Sequence, residues 1–139
     1  MPIVIDSNVL ISALIKEGIT RTIILSSNYK FLLPEYSFIE IKKHEKEILY
    51  KSGLSRQEFI LLMKKLLKYV KIIRMGELIR YREKADKIMD KIDINDSLFV
   101  ACALVYPNSI IWSDDKHFKM QNVIKNYNTK ELVNFMSYK

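Results

Sequence analysis

Pro2-Ile-Val-Ile-Asp6-Ser7-Asn8-Val9-Leu-Ile-Ser-Ala-Leu-Ile-Lys16 changes its hydrophobic period once, at Asp6. Residues 2–5 are a continuous apolar run, the pattern of a strand buried on both faces. From Val9 the apolar residues recur at helical spacing. A buried strand that turns into a helix through an acidic junction is the repeating unit of a parallel α/β sheet.

The same alternation continues outward. Thr20 reads as the cap of a second helix running through Ser27. Phe31–Leu33 reads as a second strand, stopped by Pro34. Residues 35–51 read as one helix with a wet, charged side (KKHEKE), broken at Ser52-Gly53. Ser55 and Glu58 form the sequence of a capping box. The helix they open is apolar at Phe59, Leu62, Met63, Leu66 and Leu67. Lys71–Arg74 is a third strand, Glu77–Lys91 a charged helix ending near Asp93, and Asp96–Val105 a helix apolar on nearly every side. Pro107-Asn108 is a turn and Ile110–Trp112 a buried strand. Asp114–Met120 is a loop or short helix, Val123–Ile124 a last small strand, and Thr129 the cap of a final helix, KELVNFM. The expectation is a three-layer α/β/α sandwich around a mainly parallel sheet, a single domain over residues 1–139.

Composition narrows the function classes. The 139 residues carry a formal net charge of +7, which favours polyanionic partners through phosphate contacts. Cys102 is the only cysteine, so an intrachain disulfide and Cys/His zinc spacings are excluded. Its apolar surroundings mark it as a small buried hydrophobe. No run approaches a membrane span, and Asp6 interrupts the first apolar stretch, unlike a signal peptide. These features lead to the expectation of a cytoplasmic protein. No Gly-rich phosphate loop is present.

Against this basic background, acids stand where parallel sheets place their chemistry, beyond the carboxyl ends of strands. Asp6 follows the first strand. Asp114 and Asp115 follow Ile110–Trp112. Asp96 opens the buried helix leading to that strand. Glu40 lies about two turns into the helix after the second strand, flanked by Phe38, Ile39 and Ile41. Each has a structural reading too: Asp6 and Asp93 as helix caps, Asp96 as a first-turn acid, Glu40 as solvated, Asp114-Asp115 as a turn. Brought together, these carboxylates repel one another and raise their pKa values, and a hard divalent cation relieves that. Mg²⁺ or Mn²⁺ suits an oxygen-only set. Such ions serve phosphodiester hydrolysis by activating water and steadying charge.

Four segments carry a resemblance to PIN-domain nucleases. VIDSNVLISAL resembles the family's opening strand, acid and helix. SFIEIKKH resembles the segment bearing its Glu, INDSLFVACAL its Asp before a buried helix, and IIWSDDKHF its last motif. Order and approximate spacing agree over nearly the whole chain. The resemblance implies Asp6, Glu40 and Asp96 as the main metal-binding acids, with Asp115 as the fourth and Asp114 as its substitute. It makes Ser113 a polar neighbour orienting a ligand or water, Asn8 a brace for the first loop, and Asp93 an outer acid. It implies Mg²⁺- or Mn²⁺-dependent endonucleolytic cleavage of RNA. It also implies a homodimer and an antitoxin partner if the chain is the toxin of a VapBC-type pair; ribosomal RNA processing and RNA decay are the other roles it allows. One departure stands out: where many members have a further acid shortly before the Phe, this chain has His117. The residue reads as exposed and noncatalytic, with a weakened metal position or a cation near the phosphate as alternatives. His44, in a charged run, reads as solvated.

Two rivals remain. A nonenzymatic RNA-binding or scaffold domain of the same fold predicts a broken acid set, and the set here is intact. The basic, aromatic stretches KKLLKYVK and IRYREK serve either reading, through charge and stacking on a nucleic acid strand. A phosphatase with a nucleophilic Asp6 needs an acid two residues on as proton donor; that position is Asn8.

Overall fold

The computed structural model describes residues 1–90, 92 and 96–137. Its centre is a parallel sheet of five strands in the order β3-β2-β1-β4-β5. The strands are β1 (Pro2–Ile5), β2 (Lys30–Pro34), β3 (Val70–Ile73), β4 (Ile110–Trp112) and β5 (Asn126–Tyr127). The chain winds outward from β1 to β3, then returns to the other side of β1 to lay down β4 and β5. The winding therefore reverses between β1 and β4, and a crevice opens beyond their carboxyl ends. Their register sets Ile5 opposite Trp112, and Asp6 N–H donates to the Trp112 carbonyl at 3.1 Å.

Period-two alternation sorts the strand residues between two helical layers. Ile3, Ile5, Phe31, Leu33, Ile110 and Trp112 face one core. On that side pack α1 (Ser7–Ile15), α2 (Ile19–Ser26), α3 (Ser37–Lys43), α4 (Glu45–Ser52), α5 (Arg56–Leu67) and α9 (Thr129–Ser137). Val4, Leu32 and Ile111 face the other core, with α6 (Met75–Leu78), α7 (Arg82–Met89) and α8 (Ser97–Val105). Each fully buried side chain of this size contributes about 1.5–3 kcal/mol. Phe99, Val100, Ala101, Cys102 and Ala103 are all buried, so α8 lies deep against the sheet as its all-round apolarity requires. Burial pushes the Cys102 thiol up to about 12, an inert core residue.

The architecture matches the expected α/β sandwich, and several local expectations need correction. Residues 35–51 form two helices, not one. The chain turns at His44 (φ −100°, ψ 8°) with no Pro or Gly to mark the place, and each piece buries one isoleucine, Ile41 and Ile48, in the same cluster. The charged segment expected over residues 77–91 is α6, a 3₁₀ turn at Ile79–Tyr81, and α7. The third strand begins one residue earlier than expected, at Val70. Val123-Ile124 is not a strand. The Gln121 amide accepts from both of their N–H groups (3.0 and 2.8 Å) and donates to the Ile124 carbonyl, holding a turn; pairing with β4 starts at Asn126. Thr20 lies inside α2, whose cap position is Gly18. Asn128, not Thr129, caps α9, through reciprocal bonds with Glu131 at 2.8 and 3.0 Å. The Ser55–Glu58 capping box is present as expected, and Gly53 closes α4 in the left-handed conformation (φ 71°) that glycine tolerates best.

Candidate functional site

The crevice beyond β1 and β4 gathers the acids. Asp6 follows β1 and is 5% exposed. Its Oδ1 accepts from the Asn8 N–H at 3.4 Å, so it does cap α1. Its Oδ2 accepts from the Ser113 hydroxyl at 2.6 Å. The same Ser113 oxygen accepts the Asp115 N–H at 3.0 Å. One buried hydroxyl thus ties the carboxylate after β1 to the backbone after β4. Burial, foremost, pushes the Asp6 carboxyl above its ordinary range, and the neighbouring Asp115 and Glu40 charges add to the rise; the bonds from Ser113 and Asn8 oppose it.

Glu40 reaches the crevice from α3. The Ser7 hydroxyl donates to its Oε1 at 2.9 Å, and Ser37 Oγ stands 2.9 Å from Ser7 Oγ. Ser7 and Ser37 are buried and orient the carboxylate, a role no sequence motif announced. The readable signal was spacing: Ser37 precedes Glu40 by three residues on one helix, which places both on one face.

Asp96 takes the cap position of α8 but makes no side-chain capping bond there. Its Oδ2 lies 3.3 Å from His117 Nδ1, and Asp115 Oδ1 lies 3.4 Å from the same nitrogen. Asp115 Oδ1 also accepts the His117 N–H at 2.9 Å, which opens the 3₁₀ turn Lys116–Met120. Asp96, Asp115 and His117 each present a ligand atom, all within 4.8 Å of one another. Asp115 is therefore common to two neighbourhoods, one with Asp6 and Glu40 and one with Asp96 and His117.

Asp114 points elsewhere. Its two oxygens accept the N–H and hydroxyl of Thr129 at 2.7 and 2.9 Å, anchoring the start of α9. Between the two acids left open by the sequence, the geometry brings Asp115 into the cluster. Asn8 serves Asp6 through its backbone, while its exposed side chain lines a shallow cavity of about 280 Å³ with Asp114 and Asp115. Asp93 lies outside the described residues. His44 is exposed, as expected. His117, expected to be exposed and noncatalytic, is partly exposed and lies beside Asp96 and Asp115.

A larger cleft of about 550 Å³ has Glu40, Asp96 and Ser97 on its walls together with Lys43, Arg82 and Tyr36. Ser97 Oγ is buried with no hydrogen-bond partner among the described residues. Hard oxygen donors, mutual repulsion at Asp6 and an unsatisfied buried hydroxyl fit a divalent cation with its water shell. Among the described residues no helix is long and apolar enough to cross a membrane.

A family model described as PIN domain matches residues 4–135. Among solved structures, the chain is similar to one in the crystal structure of VapBC2 from Rickettsia felis bound to a DNA fragment from their promoter. The TM-score is 0.69 at 15% identity, over 92% of this chain and 98% of that one. At such identity the likeness is one of fold. Among curated proteins, none matches in sequence.

Proposed function

The chain belongs to the PIN-domain family, a family of nucleases, and from that premise we propose that it is a divalent-metal-dependent endoribonuclease. The observation that carries the proposal is Asp115, held by Ser113 beside Asp6 and shared with Asp96 at the point where the sheet's winding reverses. Asp6, Asp96 and Asp115 hold one Mg²⁺ or Mn²⁺. Glu40, fixed by Ser7, helps hold a second ion or orients the attacking water. A divalent ion held there would supply an activated water and stabilise charge on the phosphoryl oxygens.

The protein's own part is placement. Ser113 keeps Asp6 and the Asp115 backbone in one geometry, so the carboxylates do not have to reorganise when charge develops. Lys43 and Arg82, on the cleft walls beside Glu40 and Asp96, attract the RNA backbone to an edge that is otherwise acidic. Tyr36 offers a face for a base. The finer role we propose is that of the toxin of a toxin–antitoxin pair, acting as a homodimer; the fold shared with a VapBC2 chain supports that reading.

Cleavage of a labelled single-stranded RNA in Mn²⁺ tests the metal requirement. Excess chelator is expected to stop it, and added Mn²⁺ or Mg²⁺ to restore it. Cleavage that continues unchanged in chelator refutes the metal mechanism.

A further inference from the structure

The residue that departs from the all-acid pattern has the geometry of a ligand. His117 Nδ1 faces Asp96 Oδ2 at 3.3 Å and Asp115 Oδ1 at 3.4 Å. Donors at right angles on an octahedral ion with bonds of about 2.1 Å stand roughly 3 Å apart, close to these separations. The ring is held in place from its own backbone, since His117 N–H donates to Asp115 Oδ1. Phe118, the next residue, is fully buried edge-on against Phe99 of α8. The turn bearing His117 is therefore anchored to the helix that Asp96 begins. On the wall of the same cleft as Asp96, the Ser97 hydroxyl is buried with no hydrogen-bond partner among the described residues.

We propose that His117 is a direct nitrogen ligand of the ion held by Asp96 and Asp115, which makes this a mixed nitrogen–oxygen centre. The inference rests on the metal-dependent reading above. Its consequence is selectivity. Carboxylates and water suit Mg²⁺, whereas an imidazole raises the affinity for transition ions along the series from Mn²⁺ upward. The protein then prefers Mn²⁺ to Mg²⁺ by more than an all-carboxylate version of the same site does.

Pulsed electron paramagnetic resonance of Mn²⁺ bound to the intact protein reads the ligand directly. The chain has 2 histidines, so the assignment needs only one control. The expected result is nitrogen modulation from a coordinated imidazole in the wild type, retained in His44→Gln and lost in His117→Asp. In parallel, calorimetric titration is expected to show a smaller Mn²⁺ over Mg²⁺ preference in His117→Asp. Bound Mn²⁺ without nitrogen modulation in the wild type overturns the proposal and leaves His117 as an ion-pair partner of the two acids, with the metal reading intact. Modulation lost in His44→Gln overturns it equally. A wild type that binds no Mn²⁺ removes the underlying metal reading as well, which distinguishes the two failures.

Discussion

Asp6→Asn is expected to slow RNA cleavage by about 10²–10³-fold while making the metal-free protein more stable at neutral pH. The two effects share one cause. Asparagine keeps the size of the side chain and an oxygen for the Ser113 hydroxyl, so the link across the crevice survives. It removes a buried negative charge that stands near Asp115 and Glu40. Because the Asp6 carboxyl is raised above its ordinary value of 3.8, the folded protein holds that proton to higher pH than the unfolded chain does. Stability therefore falls as pH rises from the unfolded value through the raised one, and the penalty is complete once the pH is above the raised value. Thermal melts of chelated protein are expected to give Asp6→Asn the higher midpoint at neutral pH, with the gap closing in acid below that ordinary value. Activity moves the other way. Losing one fixed charge-stabilising group costs on the order of 10²–10³-fold in rate. Wild-type turnover by Asp6→Asn would remove Asp6 from the chemistry. A lower neutral-pH midpoint would contradict the electrostatic account.

Trp112→Ala is expected to give the largest loss of stability in the chain, about 3–5 kcal/mol, as for other large buried aromatics. That is a major share of a total of roughly 5–15 kcal/mol. Trp112 is fully buried at the end of β4, and its ring lies 6.1 Å from that of Phe31 on the same sheet face. Its Nε1–H donates to Thr129 Oγ1 at 3.0 Å, and the Thr129 hydroxyl in turn donates to Asp114 at 2.9 Å. Truncation opens a cavity and leaves the first residue of α9 without that bond. Trp112→Phe keeps most of the apolar volume and loses only the hydrogen bond, a cost nearer 1 kcal/mol. Urea denaturation separates the two: similar midpoints for Ala and Phe variants would mean that packing at Trp112 matters less than its burial implies.

The fold was legible because its three central strands are short, largely apolar and buried on both faces. PIVI, FLL and IIW have little choice of period, and the acid after the first of them marks the crevice edge. What was not legible depends on contacts made across the fold. The break at His44 has no local signal; it is set by two isoleucines meeting one core. The last strand was misplaced because Val123-Ile124 looks like a strand, while a glutamine amide captures its backbone. The site divides in the same way. Asp6, Glu40, Asp96 and Asp115 stand out by position relative to strands and buried helices. Ser7 and Ser37 are ordinary helix-start serines until Glu40 folds back beside them. Asp114 and Asp115 are neighbours in sequence with different surroundings: Asp114 accepts from Thr129, and Asp115 lies beside His117. His117 reads from the sequence as exposed and noncatalytic, with a weakened metal position or a cation near the phosphate as alternatives; in the fold its partly exposed ring faces Asp96 and Asp115. Its ring direction comes from the 3₁₀ turn that Asp115 caps and Phe118 pins.

The most direct test of the central claim is cleavage of a labelled single-stranded RNA in Mn²⁺ by wild type and Asp96→Asn, purified side by side. Asp96 makes no side-chain capping bond to α8, so Asp96→Asn removes no cap from that helix while it changes a proposed ligand. The wild type is expected to cleave the RNA and Asp96→Asn to leave it intact, with both proteins folded. Equal cleavage by the two would contradict the central claim, because the acid cluster would then not be where the chemistry occurs.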